Sequence, residues 1–470
     1  MIGYSDLSFW ILTGLLFFMC RYAGLRAQNS FLLIASLLFY GEGHWARVLI
    51  LLASASVDFI AAPMTTVESG NSLRKRRIIL AVSLTANLGL LAYFKYIGFF
   101  LNEVIPLLGI GTTEYKSYIP PTFPLGISFY TFQAMSYTID CYRGKAKPCR
   151  FYFDYLLYIS FFPQLVAGPI EKAASFLPQF LKVRRIESEQ VRSAVMLIGL
   201  GLFKKFYIGD GLADPVDFIF GDPHAVGPEM YLASWLMAIR VYFDFSAYSD
   251  IGRGLARLFG IELSINFKSI WDASNPTLFW ERWNITTGRW FRDYVLIPIG
   301  GNGNSRFQMA RNMIFMFILI GFWHGASWAW LAWGAFHGVV VAIYRDLKKF
   351  NPWIVKMTPV FVGILFIQLL VLPAGGFLHA ASVSGGLARA WDVLTRDWST
   401  WYGAFRVVIY TAPLILSGIF LDLFWPKIET HFDREHVGWV YRTVVLTILV
   451  GFALLFARDP SNPTFIYFAF

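Results

Sequence analysis

Apolar runs suited to membrane helices recur along almost the whole chain, and they limit the folds that it can adopt. Residues 78–101 form one such run, and a helix that crosses a bilayer needs about 20 mostly apolar residues. Only 15% of the residues are charged, whereas soluble domains carry about 25%. Because backbone groups inside lipid must be hydrogen-bonded within the protein, these runs predict membrane helices.

The apolar runs together predict an all-α integral membrane protein with about 11–13 membrane elements. The runs are residues 7–20, 31–40, 48–62, 78–101, 123–139, 152–167, 191–203, 230–245, 312–323, 328–343, 359–372, 407–423 and 440–456. Several are too short for a full span, so we expect re-entrant and interfacial helices among them. No long polar block interrupts the series, and we predict a single polytopic domain over residues 1–470.

Positive charges concentrate in short loops between the apolar runs. The chain has 40 Lys and Arg against 30 Asp and Glu, which gives a net charge of +10. Such clusters mark cytoplasmic loops, and we expect residues 74–77, 143–150 and 345–349 to face the cytoplasm. A fourth cluster, residues 182–185, fits this topology only if residues 152–167 are re-entrant or lie along the membrane surface. Membrane topology therefore accounts for the charge, and we predict no nucleic-acid partner.

One histidine lies between tryptophans inside an apolar region. His324 occurs in residues 321–328, GFWHGASW, a segment that directly follows the apolar run of residues 313–320. Trp323 precedes His324 in the sequence. His337 follows 13 residues later in similar surroundings. An imidazole in a membrane helix is costly and points to chemistry or transport, although hydrogen-bonded packing is the simpler alternative for each histidine.

A second group of candidate residues lies in residues 279–294, which carry too much charge to span. At about 100° per residue, Arg282, Arg289 and Asp293 fall on one stripe and aromatic side chains fill the opposite arc. This pattern predicts a continuous amphipathic helix at the membrane interface. Asn284 projects from the aromatic arc, where it either positions a substrate or bonds a neighbouring helix.

Two carboxylates end another apolar segment. Residues 242–250 read YFDFSAYSD, which places Asp244 and Asp250 near the end of the predicted helix. These carboxylates could orient a histidine, or they could pair with Arg253 and Arg257. Pairing is the simpler interpretation of acids in a membrane helix.

Five segments spread along the chain resemble the membrane-bound O-acyltransferase family. They are residues 124–133 (PLGISFYTFQ), 161–170 (FFPQLVAGPI), 242–259, 290–301 and 321–328. Within the family, the sequence is most similar to the bacterial alginate O-acetylation branch, which is related to the D-alanyl transfer protein of lipoteichoic acid synthesis. The alginate branch commonly has histidine where this chain has Asn284.

The resemblance implies that His324 is the catalytic histidine and that Asn284 occupies the other signature polar position. A neutral imidazole can take a proton from an acceptor hydroxyl, and an amide can bond the acceptor or the developing oxyanion. The other residues that we expect to bind substrate or line a tunnel are His337, Trp323, Trp283, Arg289, Asp293, Tyr242, Asp244 and Tyr248.

The resemblance further implies a bacterial inner-membrane enzyme that uses cytoplasmic acetyl-coenzyme A as donor. No permanently bound cofactor and no metal is expected, and the three cysteines form no C-x-x-C pair. The acceptor is an extracytoplasmic polysaccharide, such as alginate, peptidoglycan, cellulose or another exopolysaccharide. Membrane lipid and a periplasmic, hydrolase-like O-acetyltransferase are the implied partners.

Two other classes of function remain open at the level of the sequence. A transporter or flippase for a lipid-linked sugar would also place polar residues at mid-membrane, but inverted repeats, which favour that class, are not evident. A membrane scaffold that recruits an enzyme would leave His324 dispensable.

Overall fold

The computed structural model describes residues 6–109, 124–301, 305–374, 391, 393, 395–432 and 439–456. Helices and their connecting turns make up these residues, and no strand occurs in the part of the chain described. Among these residues, three helices are long and apolar enough to cross a membrane: Trp45–Thr65, Leu73–Leu107 and Tyr402–Glu429. Shorter apolar helices are Leu7–Tyr22, Val360–Val371 and Thr443–Leu455. The predicted all-α membrane class is confirmed.

The chain divides into two compact units. The first comprises Met1–Val195 and Gly252–Ser264, and the second comprises Met196–Ile251 and Ile265–Phe470. Two helices, Ser188–Phe203 and Gly227–Leu258, contain two of the three unit boundaries. The single domain over residues 1–470 stays a prediction.

The first unit contains the N-terminal helices. The α-helices are Leu7–Tyr22, Leu25–Gly41, Trp45–Thr65, Leu73–Leu91, Ile97–Phe99, Ile105–Leu107, Ile127–Tyr142, Tyr152–Ser160 and Ala173–Phe176. Wider π-type turns, Ala92–Tyr96 and Phe100–Val104, continue the Leu73–Leu91 helix, and 3-10 turns lie at Val67–Ser69 and Leu177–Leu181. The Tyr152–Ser160 helix has only nine residues, about 14 Å at 1.5 Å per residue, so it is too short to cross a bilayer.

A buried carboxylate joins three helices of the first unit. Asp58 is fully buried and accepts hydrogen bonds from Ser83 Oγ at 2.7 Å and Thr138 Oγ1 at 2.6 Å. Its other oxygen accepts from Asn87 Nδ2 at 2.7 Å. Because these partners come from Leu73–Leu91 and Ile127–Tyr142, the bonds fix both helices against Trp45–Thr65.

The second unit contains the C-terminal helices and all ten candidate site residues. Its α-helices are Ala213–Gly221, Pro276–Trp280, Ile285–Phe291, Arg306–His324, Trp328–Phe350, Pro352–Met357, Val360–Phe366, Tyr402–Phe432 and Trp439–Phe456. The π-type turns are Lys204–Gly209, Arg292–Leu296 and Ile367–Val371.

The prediction of one continuous amphipathic helix over residues 279–294 is wrong. The chain forms a short helix, Pro276–Trp280, then a turn, a second helix, Ile285–Phe291, and a π-type turn, Arg292–Leu296. The break occurs because Asn284 has a left-handed backbone conformation, which an α-helix cannot contain.

Two glycines bring the histidine-bearing helices into backbone contact. These are Arg306–His324, here the His324 helix, and Trp328–Phe350, here the His337 helix. A Cβ atom on Gly321 would lie 2.1 Å from the Trp330 carbonyl oxygen, and one on Gly334 would lie 2.3 Å from that of Phe317. Small residues permit such close packing of membrane helices, so the two helices form a tight hairpin.

We expect Gly334→Ala to destabilise the second unit, because the added methyl group collides with backbone that cannot rotate away. Overpacking of this kind costs about 1–3 kcal/mol. Thermal unfolding of the purified protein in detergent measures the loss.

Gly89→Ala is the matched control. Gly89 lies in a different helix, Leu73–Leu91, and a Cβ atom on it would meet nothing within 4 Å. Equal unfolding temperatures for both variants would contradict the close packing at Gly334.

Candidate active site

His324 lies in a cage of tryptophans. It is the last residue of its helix and is only 8% exposed. Its ring stacks on Trp330 with the centroids 5.3 Å apart and an interplanar angle of 22°. Trp323 lies at 4.8 Å and Trp333 at 5.7 Å, both edge-on. The cage excludes water from an imidazole that the local sequence had already singled out.

His337 shares a tryptophan with His324. Its ring lies 4.5 Å from Trp333 and 5.0 Å from Trp280, and it is 3% exposed. The Nδ1 atom has no hydrogen-bond partner among the described residues. We call Trp280, Trp323, Trp330 and Trp333 the aromatic box, since these four rings surround the two histidines. Sequence analysis predicted both histidines and Trp323, but not the role of the other three tryptophans.

Asn284 combines backbone strain with an unsatisfied side chain. Its φ of 42° makes it the one non-glycine residue with positive φ in the part of the chain described. Asparagine tolerates this conformation better than most residues. It is 3% exposed, and neither amide atom of the side chain has a hydrogen-bond partner among the described residues. Strain and orphaned polar groups each cost about 1–3 kcal/mol, and both cluster at functional sites.

A neighbouring segment holds the backbone on both sides of Asn284. The Lys268 amide donates to the carbonyl oxygen of Arg282 at 2.9 Å, and the Ile285 amide donates to that of Asn266 at 2.9 Å. The Asn266 side chain also accepts from the amide and the hydroxyl of Thr286, at 3.0 and 2.8 Å. These bonds keep Asn284 in its strained conformation.

The residues around Asn284 reach the aromatic box from two directions. Trp280, which precedes the turn, lies against His337 and against Trp333. Phe291, which ends the helix that Asn284 begins, lies 6.3 Å from Trp323, centroid to centroid. The structure therefore brings the Asn284 segment and both histidines into one region of the second unit.

Trp283 and Tyr242 also come together beside Asn284. Their rings stack with centroids 5.7 Å apart and an interplanar angle of 30°, and Phe279 stacks on Trp283 at 5.6 Å. Tyr248 is buried on the same helix as Tyr242. Of the residues predicted in 242–250, Tyr242 is the one for which a contact to the Asn284 segment is established.

Asp244 neither orients a histidine nor pairs with an arginine. Its Oδ1 atom lies 2.7 Å from Lys205 Nζ, and its Oδ2 atom has no hydrogen-bond partner in the described part of the chain. Asp250 pairs with Lys204 at 3.1 Å. The expected partners, Arg253 and Arg257, follow in the same helix, whereas both lysines lie in a separate π-type turn that folding brings close.

A cationic cavity borders the aromatic box. Its volume is about 590 Å³, and its charged lining residues are Lys268, Arg289, Arg292, Arg345 and Glu281. Trp280 lines the cavity and also contacts His337, so the cavity and the box share this ring. Arg289 was predicted to bind substrate. Asp293, which has the same predicted role, pairs with Arg292 at 2.8 Å.

Three cavity residues, Lys268, Arg292 and Arg345, were missed as site residues. Arg345 was visible only as part of the basic cluster 345–349 and Arg292 only as part of residues 279–294 and 290–301, whereas Lys268 gave no local signal. Four cations around a single carboxylate give the cavity a positive field, which suits a phosphorylated ligand.

Comparison with known proteins identifies the family of this chain. Residues 151–358, which include both histidines and Asn284, match the model of the membrane-bound O-acyltransferase family. The probable alginate O-acetylase AlgI of Pseudomonas aeruginosa is 33% identical over 77% of this chain and 71% of its own length. The chain belongs to the membrane-bound O-acyltransferase family.

Other relatives span different acceptors. The peptidoglycan O-acetyltransferase of Helicobacter pylori is 29% identical over 93% of this chain and 91% of that protein. The teichoic acid D-alanyltransferase of Bacillus subtilis is 26% identical over 75% of this chain and 90% of that protein. The chain is therefore a membrane acyltransferase whose relatives are named for alginate, peptidoglycan and teichoic acid.

We expect Asn284→Gly to be at least as stable as the wild-type protein. Glycine adopts positive φ freely, and the substitution removes an amide whose burial without partners costs about 1–3 kcal/mol. Thermal unfolding in detergent measures the difference. Asn284→Ala is the comparison, because alanine removes the same amide but pays about 1–2 kcal/mol for the left-handed conformation.

If Asn284→Gly unfolds at a much lower temperature than the wild type, the Asn284 amide is hydrogen-bonded in the folded protein. The absence of a partner is then not a property of the site.

Proposed function

We propose that this acyltransferase moves an acetyl group from cytoplasmic acetyl-coenzyme A across the bacterial inner membrane, for O-acetylation of an extracytoplasmic polysaccharide. His324 is the general base and Asn284 is its polar partner. The observation that carries the proposal is a caged histidine in the same region as a strained, unsatisfied amide, next to a cationic cavity. An amide that has no partner among the described residues can bond a substrate.

The cationic cavity supports a phosphorylated donor. Coenzyme A carries several phosphate charges, and Lys268, Arg289 and Arg292 surround the space with cations. Arg345 belongs to the cluster 345–349 that is expected to face the cytoplasm, the compartment that supplies acetyl-coenzyme A. The thioester end of the donor then points past Trp280 toward the aromatic box.

The chemistry follows from the two polar groups. A ring nitrogen of His324 takes the proton of an acceptor hydroxyl while the hydroxyl oxygen attacks the thioester carbonyl carbon. Asn284 Nδ2 donates a hydrogen bond to the oxyanion that forms. When the intermediate collapses, the carbon–sulfur bond breaks, the coenzyme A thiolate takes the proton from His324, and an acetyl ester remains on the acceptor.

His337 lines the passage in this proposal. It lies between Trp280 at the cavity and Trp333 beside His324, so the acyl group passes it before it reaches the base. Its own ring has no assigned proton-transfer role.

The acceptor class is inferred from the relatives. The names of two of them specify O-acetylation of alginate and of peptidoglycan. The immediate acceptor is a hydroxyl presented outside the membrane, and a periplasmic, hydrolase-like O-acetyltransferase completes transfer to the polymer. The absence of a G-x-S-x-G nucleophile motif from this sequence is consistent with the need for that partner.

We expect His324→Ala to reduce acetyl transfer by about 10²–10⁴-fold, the usual contribution of a general base. Donor affinity should stay close to normal, because the cavity cations are unchanged. His337→Ala should have a smaller effect, because it removes a side chain that lines the passage and leaves the base in place. Acetylated product and donor binding are measured for each purified variant.

His224→Ala is the matched control, since His224 is an exposed histidine of the same unit. Full activity of His324→Ala would remove the catalytic role, and loss of donor binding alone would make His324 a binding residue.

We expect Asn284→Gly to lose about 10²-fold or more in turnover although it is no less stable than the wild type, because the oxyanion loses a donor. Asn284→His should keep partial activity, since the alginate branch commonly has histidine there. Single-turnover rates with saturating donor measure the chemical step. Wild-type rates in Asn284→Gly would show that the amide has no part in it.

We expect the purified chain with acetyl-coenzyme A alone to hydrolyse the thioester slowly and to yield no acetylated polysaccharide. The periplasmic partner should restore polymer acetylation, which is followed by release of ester-bound acetate. A control with His324→Ala plus the partner should give neither product. Efficient polymer acetylation by the single chain would contradict the two-protein scheme.

A further inference from the structure

A buried ion cluster of the second unit includes a residue outside the segment that matches the family. Asp422 lies on the helix Tyr402–Phe432, beyond residues 151–358. Its Oδ1 atom lies 3.0 Å from Lys204 Nζ, which also pairs with Asp250 at 3.1 Å. The side chains of Asp422 and Lys204 are 3% and 7% exposed. Buried charges are costly unless they are paired, so this cluster fixes the position of Asp422.

The second oxygen of Asp422 faces aromatic hydrogen-bond donors. The Tyr242 hydroxyl donates to Asp422 Oδ2 at 2.7 Å, and Trp271 Nε1 donates to the same atom at 3.1 Å. Hydrogen bonds to an ionised acceptor are about twice as strong as neutral ones. Asp422 thereby sets the orientation of the Tyr242 ring.

Two contacts link Tyr242 to the residues around Asn284. Its ring stacks on Trp283, the residue directly before Asn284. Its hydroxyl also lies 3.1 Å from the carbonyl oxygen of Lys268, whose amide bonds Arg282 on the other side of Trp283. A rotation of the Tyr242 ring would therefore disturb both contacts that support the strained turn.

We propose that Asp422 is a positioning residue for acyl transfer, which acts through Tyr242 to hold the Asn284 amide in its working orientation. This inference rests on the proposed function of Asn284. Asp422 touches neither substrate nor reacting atoms; its effect is on the geometry of the oxyanion donor. A displacement of about 1 Å at such a group can cost 10²-fold in rate.

The second carboxylate beside Lys204 makes the variant Asp422→Asn practical. Lys204 faces two carboxylates, and the substitution leaves it paired with Asp250, so no buried cation is stranded. Tyr242→Phe is the second variant, because it keeps every charge and the stacked ring and removes only the hydroxyl. It decides the question even if Asp422→Asn fails to fold.

The experiment measures single-turnover acetyl transfer and donor Kd for the full-length protein in detergent, with acetyl-coenzyme A as the probe. Asp422→Asn and Tyr242→Phe should each lower the rate about tenfold or more, with donor Kd within about threefold of the wild type. In an Asn284→Gly background neither substitution should lower the rate further, because the group that they position is gone.

Asp217→Asn is the matched control, since Asp217 pairs with Arg240 at 2.9 Å but is 53% exposed. It should leave the rate unchanged, because a surface pair contributes little.

Wild-type rates in both variants would overturn the proposal, and so would a slow Asp422→Asn beside a normal Tyr242→Phe. Equal further losses in the Asn284→Gly background would show a general structural role and overturn it as well. Asn284→Gly measured alone tests the proposed function separately: full activity there refutes the role of Asn284, whatever the Asp422 variants do.

Discussion

A polar side chain that is buried in an apolar interior needs a partner, and this requirement distinguishes the structural polar groups of the protein from those of its site. Asp58 of the first unit has three hydrogen-bond donors, and Lys204 of the second has two carboxylates. These groups are satisfied, and they join helices. Asn284 is as deeply buried, yet no described residue satisfies its amide. The fold tolerates this cost where a substrate can remove it.

The aromatic box changes the chemistry that an imidazole can perform. Indole rings are large and apolar, so four of them keep water away from both histidines. Electrostatic interactions strengthen when water is excluded, and a hydrogen bond to a developing oxyanion is then worth more than in solution. The cations line the cavity, which shares Trp280 with the box. In the proposed mechanism, the charged part of the donor binds in the cavity and the neutral acyl group is transferred in the box.

Apolar periodicity and charge placement predicted the helical class because both depend on local sequence. The run of residues 48–62 became Trp45–Thr65, and the run of residues 328–343 became Trp328–Phe350. The histidines were found for the same reason, since an imidazole in an apolar run is locally conspicuous. Local sequence did not predict the aromatic box or the cavity, because the residues that form them come from segments that only folding brings together.

The two errors have separate physical causes. Residues 279–294 have helical spacing, but the left-handed conformation of Asn284 depends on hydrogen bonds from the segment around Asn266, which spacing does not reveal. The partner of Asp244 was sought within its own helix, whereas Lys205 lies in a π-type turn far away in sequence.

The glycine contacts of the histidine hairpin restrict how the enzyme can admit a substrate. With Gly321 against the Trp330 backbone and Gly334 against that of Phe317, the two helices have no slack between them and must move as one body. Entry to His324 then cannot come from parting the hairpin. The broken segment around Asn284 contacts the hairpin through side chains that include Trp280 and Phe291. In the proposed mechanism, the amide that bonds the oxyanion therefore belongs to a segment that faces the hairpin, so any displacement of this segment would change access to His324 and the catalytic geometry together.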